Sequence, residues 1–179
     1  RDAAAPLCAF VFKTMADPYI GKLSYIRVYS GSLNSDTQIY NATQDKLERI
    51  GQIYRMCGKR QEPAATLLPG ELGAIPKLAE TVTGDTLCTK EAPITLPAPT
   101  FPEPVYSIAV EPKTKGDEDK LSTVLLRLAE EDPTLQVRRD PEVRQTLLAG
   151  LGEAHLEVMV ERLKRKFNVD VHLQEPRVP

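Results

Sequence analysis

The chain has 179 residues, 41% of them hydrophobic and 27% charged, with a formal net charge of −2. That profile fits one globular domain or two small ones and excludes disorder, collagen and a coiled-coil rod. No apolar run nears the ~20 residues that cross a bilayer, and Arg1-Asp2-Ala3-Ala4-Ala5-Pro6 lacks the apolar stretch of a signal peptide, so a cytoplasmic setting without a membrane partner is expected.

The first half reads as short strands separated by turns. Leu7 to Met15 predicts a strand, Asp17-Pro18-Tyr19-Ile20-Gly21-Lys22 a turn, and Leu23 to Tyr29 the next strand, closed by Ser30-Gly31. Further runs at Thr37 to Tyr40, Glu48 to Met56, Glu71 to Ile75 and Thr86 to Thr89 are punctuated by Asn41, Gly58, Pro69-Gly70 and Thr83-Gly84-Asp85. No helical stripe interrupts them, so a closed β-barrel or a sandwich is expected. Five prolines between Ala92 and Pro104 then remove backbone donors and fix φ, which predicts a stiff, extended linker. The expected domains are residues 1–99, with the linker starting at 92, and residues 100–179.

Beyond the linker the pattern is mixed. Val105 to Val110 reads as a strand. From Asp117 to Glu131, Leu121, Val124, Leu125 and Leu128 form one helical stripe, with Asp117, Glu118 and Asp119 at its start. Asp132-Pro133 ends that helix. Leu135 to Arg138 and Thr146 to Ala149 read as paired strands, Glu153 to Phe167 as a second helix with the stripe Leu156, Met159, Val160, Leu163 and Phe167, and Val169 to Leu173 as a last strand. The order β-α-β-β-α-β predicts a ferredoxin-like split βαβ sandwich.

Residue chemistry points away from catalysis. Gly21-Lys22 is followed by Leu23 and has no upstream glycine partner, so no phosphate loop is present. Cys8, Cys57 and Cys88 are widely spaced, with no Cys-x-x-Cys pair, and read as structural. The clusters Asp117-Glu118-Asp119 and Glu130-Glu131-Asp132 read as solvated helix ends, although negative charge at the later end opposes the helix dipole. His155 is flanked by Glu153 and Glu157, which helical geometry turns away from it, so a packing or capping histidine is expected rather than a metal ligand. Gly150 and Gly152 read as the tight turn into the second helix, whose N-terminus could also accept an anion. Basic residues gather at Lys59-Arg60 with Arg49 and Arg55 nearby, at Arg138-Arg139, and at Arg162-Lys164-Arg165-Lys166. Aromatic interleaving with them is weak, so base stacking is not suggested.

Longer matches carry a resemblance. Asp17-Pro18-Tyr19-Ile20-Gly21-Lys22-Leu23, Arg27-Val28-Tyr29-Ser30-Gly31-Ser32-Leu33 and Thr83-Gly84-Asp85-Thr86-Leu87-Cys88 closely resemble the second domain of bacterial elongation factor G. Phe101-Pro102-Glu103-Pro104-Val105, Glu111-Pro112-Lys113-Thr114-Lys115, Arg127 to Thr134 and Gly152-Glu153-Ala154-His155-Leu156-Glu157 resemble its third. In order, these cover Pro6 to Val178.

The resemblance implies a translation-factor-type β-barrel followed by a ferredoxin-like domain, the middle fragment of a ribosomal translocase. An initial residue other than methionine agrees with a fragment. Its implied partners are the ribosome, through small-subunit rRNA and the protein at the shoulder, and the GTPase domain of the same parent chain; a monomer is expected. The parent would use GTP with Mg and hydrolyse it, whereas this fragment would hold no cofactor, metal or catalytic residue and would be inactive alone. Fusidic acid acts near the third domain in this family. The linker would let that domain reorient after GTP cleavage. For RNA contact the candidates are Lys46, Arg49, Lys59 and Arg60. Ala154, where members usually carry leucine, and the proline-bearing stretch Gly58 to Pro76 depart from the family pattern and suggest a paralogue. The alternative function is therefore ribosome recycling or ribosome protection, with a stand-alone RNA-binding adaptor a distant third.

Overall fold

Period-two alternation over the first thirty residues produces the two longest strands, β1 (Cys8–Asp17) and β2 (Gly21–Ser30). In the computed structural model, which describes residues 2–17, 20–58 and 60–177, they pair antiparallel with Val11 opposite Ile26 and Met15 opposite Leu23. Ala9, Val11, Ile26 and Val28 point inward and are wholly buried. The register shifts between Val11 and Lys13, leaving Phe12 as the extra residue of a β-bulge. Pro18 and Tyr19 of the expected turn lie outside the described residues. On its far side the Asp17 carboxylate accepts the Ile20 N–H at 2.9 Å, and Gly21 enters β2 at φ +87°, where a side chain would be strained.

The chain continues through β3 (Leu33–Asn34), β4 (Gln38–Asn41), β5 (Lys46–Arg49), β6 (Ile53–Cys57), β7 (Arg60–Ala64), β8 (Thr66–Leu67), β9 (Leu72–Pro76) and β10 (Thr86–Cys88). Six of these join β1 and β2 in one eight-stranded sheet in the order β5-β4-β10-β1-β2-β9-β6-β7, while β3 pairs with β8. One apolar core takes Ile39 from β4, Leu87 from β10, Ile75 from β9, Ile53 from β6, Ala64 from β7 and Leu67 from β8. A sheet whose strands, β5 apart, give their inner faces to one apolar core is the wall of a barrel. The expected single run Glu48 to Met56 is two strands. At Ile50 the chain turns a corner: its N–H bonds the Thr37 carbonyl at 2.8 Å, and the Gly51 carbonyl takes the Asp36 N–H at 3.0 Å. Pro63 is tolerated in β7 because that strand ends the sheet order.

The chain divides into two compact units, Arg1–Pro99 and Thr100–Pro179. Residues 92–104 form neither helix nor strand, and their first part is held to the barrel by the Leu96 N–H, which donates to Thr86 Oγ1 at 3.0 Å.

The second unit runs β11 (Tyr106–Pro112), a 3-10 turn (Lys115–Asp117), α1 (Glu118–Glu131), β12 (Gln136–Asp140), β13 (Gln145–Gly150), α2 (Glu153–Phe167) and β14 (Val171–Gln174). Its sheet has the order β12-β13-β11-β14 with every neighbouring pair antiparallel, the ferredoxin-like arrangement. Leu121, Val124, Leu125 and Leu128 of α1 and Leu156, Met159 and Leu163 of α2 share a core with Val110 and Leu148 of the sheet. Asn168 ends α2 in the left-handed conformation, its N–H returning to the Leu163 and Lys164 carbonyls. Among the described residues no helix is long and apolar enough to cross a membrane.

Candidate nucleic-acid interface

Lys46 and Arg49 both lie exposed on β5, at one end of the barrel sheet. Three positions apart on a strand, they sit on opposite faces, Lys46 sharing its face with the buried Glu48. Arg60 opens β7 at the other end of the sheet order and pairs with Glu62 at 3.1 Å. Lys59 lies outside the described residues. Arg55, their neighbour in sequence, is tied down: its guanidinium bonds both Glu71 oxygens at 3.2 Å and the Thr66 carbonyl at 3.1 Å. That hydrogen bonding, with a further one from the Leu68 N–H, holds the Glu71 carboxyl below its usual range. The three described candidates thus fall on two strands, β5 and β7, rather than on one shared face.

A buried polar network anchors the hairpin that carries Lys46 and Arg49. Asn41 Nδ2 donates to Asp85 Oδ2 at 2.8 Å and to Thr81 Oγ1 at 3.1 Å, and the Thr81 hydroxyl donates to Glu48. Glu48 also accepts the Glu80 N–H, and Asp85 accepts the Val82 N–H and Gln44 Nε2. Asn41 Oδ1 closes the hairpin by accepting the N–H groups of Thr43 and Gln44 at 3.1 Å. These hydrogen bonds satisfy the two buried carboxylates. They also explain Thr83-Gly84-Asp85-Thr86: Asp85 is its hub, and Gly84, at φ +98°, turns the chain into it.

A different surface gathers aromatic and cationic side chains. Register places Phe10 opposite Arg27 and Lys13 opposite Tyr25 across β1 and β2, and Tyr25 and Tyr54 on either side of Ala74 in β9. Opposed residues share a face, and this face is the outer one, since Val11, Ile26, Ile53 and Ile75 point into the core. The Phe12 and Tyr25 ring centroids are 6.2 Å apart, and the Arg27 guanidinium lies 5.6 Å over the Tyr29 ring. Phe12, Tyr29 and Leu72 are 43%, 44% and 54% exposed. Interleaving that is weak along the chain is reinforced across it by the register of β1, β2 and β9.

In the second unit the basic residues at the end of α2 are mostly engaged. Lys166 pairs with Glu131, Lys164 lies 3.4 Å from Asp170, and Arg165 lies 3.9 Å from Glu161. Arg138, on β12, lies 3.8 Å from Asp140. Glu131 and Asp132 are not solvated: their side chains are 8% and 25% exposed, and they face Lys166 and His155 of α2. His155 Nδ1 accepts the Leu151 N–H at 3.0 Å, and Nε2 stands 2.9 Å from Asp132 Oδ2, a capping role that also joins the helices. A Cβ on Gly150 would meet Leu156 Cδ2 at 2.6 Å and His155 Nδ1 at 2.7 Å, so this glycine serves close approach. Gly152, extended and with open space around it, is not required by the turn. No group of three or more His, Cys, Asp or Glu side chains converges on a metal position among the described residues.

Known families match these two units in turn. Residues 6–90 match the model of elongation factor G domain 2, and residues 101–175 that of elongation factor G domain III. The chain belongs to the elongation factor G family. A crystal structure of a protein from Thermus thermophilus is similar at 32% identity and a TM-score of 0.83 over 98% of this chain. The chain spans 26% of that structure's length. The elongation factor G domain 2 match takes in every strand of the barrel, and the domain III match the whole ferredoxin-like unit.

Proposed function

We propose that this chain is the middle of a ribosomal translocase, binding the ribosome and coupling GTP hydrolysis in a domain outside these residues to movement of tRNA and messenger. The observation that carries the reading is the pair of elongation factor G matches, domain 2 then domain III, in order along one chain. Gly21-Lys22 opens a strand of a hairpin and not a helix, which supports placing GTP, its Mg and hydrolysis in the parent's GTPase domain. The barrel would supply RNA contact. Lys46, Arg49 and Arg60 offer exposed cations for phosphates, with Lys59 retained as a candidate from the sequence, and the Phe12, Tyr25, Arg27 and Tyr29 face offers stacking area. Small-subunit rRNA and the shoulder protein are the proposed partners, in the cytoplasm, with the factor a monomer.

The deciding experiment adds the full-length parent to ribosomes stalled before translocation and follows tRNA and messenger movement with GTP. Movement by one codon is expected. Ribosome-stimulated hydrolysis without movement would overturn the translocase reading in favour of recycling or protection, and no stimulation at all would leave only an adaptor.

A further inference from the structure

Cys8 is the first residue of β1 and Cys88 the last of β10, and the two are direct partners in the antiparallel ladder. The pair lies inside the sheet, with Cys8 also facing Ser30 of β2 and Cys88 facing Tyr40 of β4. Both thiols are free and buried, at 5% and 0% exposure. Directly opposed residues place their Cβ atoms about 4.5–5.5 Å apart on one face, and a disulfide needs Cα atoms within about 4.4–6.8 Å and Cβ atoms near 4 Å. Ladder partners therefore meet the Cα requirement, and their Cβ atoms need to approach by about 1 Å for a bond to close. The Cys8 thiol is pushed up first by burial and then by Cys88.

The next pair on this face is Phe10 and Thr86, and Thr86 is wholly buried, its hydroxyl taken by the Leu96 N–H of the proline-rich segment. The neighbouring pair Ala9 and Leu87 faces the core instead. The thiols thus sit on the outer side of the barrel wall, at the place where the chain enters the barrel and leaves it.

We propose that Cys8 and Cys88 are a latent cross-strand disulfide, a modification site that takes peroxide as oxidant and, once closed, staples the two ends of the barrel together. The sulfur of Cys8, the less deeply buried residue, attacks one peroxide oxygen; the O–O bond breaks, giving a sulfenic acid and water. The Cys88 sulfur then attacks the sulfenic sulfur, the S–O bond breaks and a second water leaves. Two thiols lose two electrons and two protons, and one peroxide becomes two waters. Burial slows the first step, so oxidation proceeds at the rate at which this end of the barrel opens. The closed loop of about 80 residues removes much unfolded-chain freedom, so the barrel's melting temperature rises by on the order of 10 °C.

The test uses the whole chain with Cys57→Ser, which removes the exposed third thiol. The protein is treated with hydrogen peroxide, blocked with N-ethylmaleimide, digested without reductant and mapped by mass spectrometry, with thermal unfolding recorded in parallel. The expected result is a Cys8 peptide joined to a Cys88 peptide, a raised melting temperature, and loss of both on adding dithiothreitol. Because the readout is made on unsubstituted Cys8 and Cys88, it does not depend on whether serine variants fold. Two separately blocked thiols after prolonged exposure, or sulfinic acid at either position without a joined peptide, would overturn the proposal.

Discussion

Asp132, which ends the first helix, and His155, in the first turn of the second, meet through Oδ2 and Nε2 at 2.9 Å, while the other ring nitrogen of His155 holds the Leu151 N–H. One imidazole thus fastens a helix end to the start of its neighbour. Asp132 Oδ1 accepts the Thr134 N–H and hydroxyl, so both its oxygens are occupied.

His155→Ala removes a donor and an acceptor together and leaves the half-buried Asp132 short of a partner. A loss of about 1–3 kcal/mol is expected. Both helices lie in the second unit, so urea unfolding followed at 222 nm reads that unit; an unchanged midpoint would show the bridge to be incidental.

Asp132 also sets a pH dependence. Burial pushes its carboxyl up, but the Thr134 hydroxyl and N–H and the His155 hydrogen bond outweigh burial and hold it below its usual value. An unfolded Asp takes its proton near pH 3.9, before the folded one does. The stabilisation is therefore complete above about pH 4 and is lost as pH falls through the lower folded value. The 222 nm urea midpoint should drop across that window, and less steeply in Asp132→Asn; equal slopes would assign the acid sensitivity to other groups.

Gly150 and Gly152 separate two roles. Gly150→Ala forces a methyl against Leu156 and His155 and should cost about 1–3 kcal/mol. Gly152→Ala meets open space and should lie within about 0.5 kcal/mol of the parent. Thermal melts of the two variants check the contrast.

Asn41→Ala withdraws donors from Asp85 and Thr81 inside the barrel. A loss of roughly 2–4 kcal/mol is expected for a buried network broken at its centre. Hydrogen exchange should speed up first in the hairpin at residues 41–46; uniform acceleration would argue against a local anchoring role.

For RNA contact, Lys46→Glu with Arg49→Glu in the full-length parent should weaken ribosome binding and lower the salt slope by about 1 for each phosphate no longer neutralised. Arg55→Ala should change barrel stability instead, since its guanidinium is committed to Glu71 and Thr66. Filter binding across a salt series separates the two effects.

Helix α2 was legible because a five-member stripe and a preceding glycine agree on its extent. The Glu48 to Met56 run misled for a physical reason: Ile50 and Gly51 carry strand-like side chains but bond across a corner to Thr37 and Asp36, and only tertiary pairing reveals the break. β3 and β8, two residues each, hold too little periodicity to register. Exposed cations could be named from sequence, yet Lys46 and Arg49, close in number, face opposite ways. Of the aromatic face only the alternation of Tyr25, Arg27 and Tyr29 along β2 lies in the sequence; Phe12 and Tyr54 come from other strands, and their adjacency to Tyr25 is a property of register and folding. The acidic end of α1 looked unfavourable because its partners, His155 and Lys166, lie more than twenty residues on.

Pro63 has a consequence beyond this fold. A strand at the margin of a sheet displays donors and acceptors that another chain can copy, and such margins seed aggregates. On β7 the proline deletes a donor, while Arg60 and Glu62 place opposite charges beside it. The margin is thereby made a poor template for a second molecule, and crowded copies of the protein are discouraged from joining edge to edge.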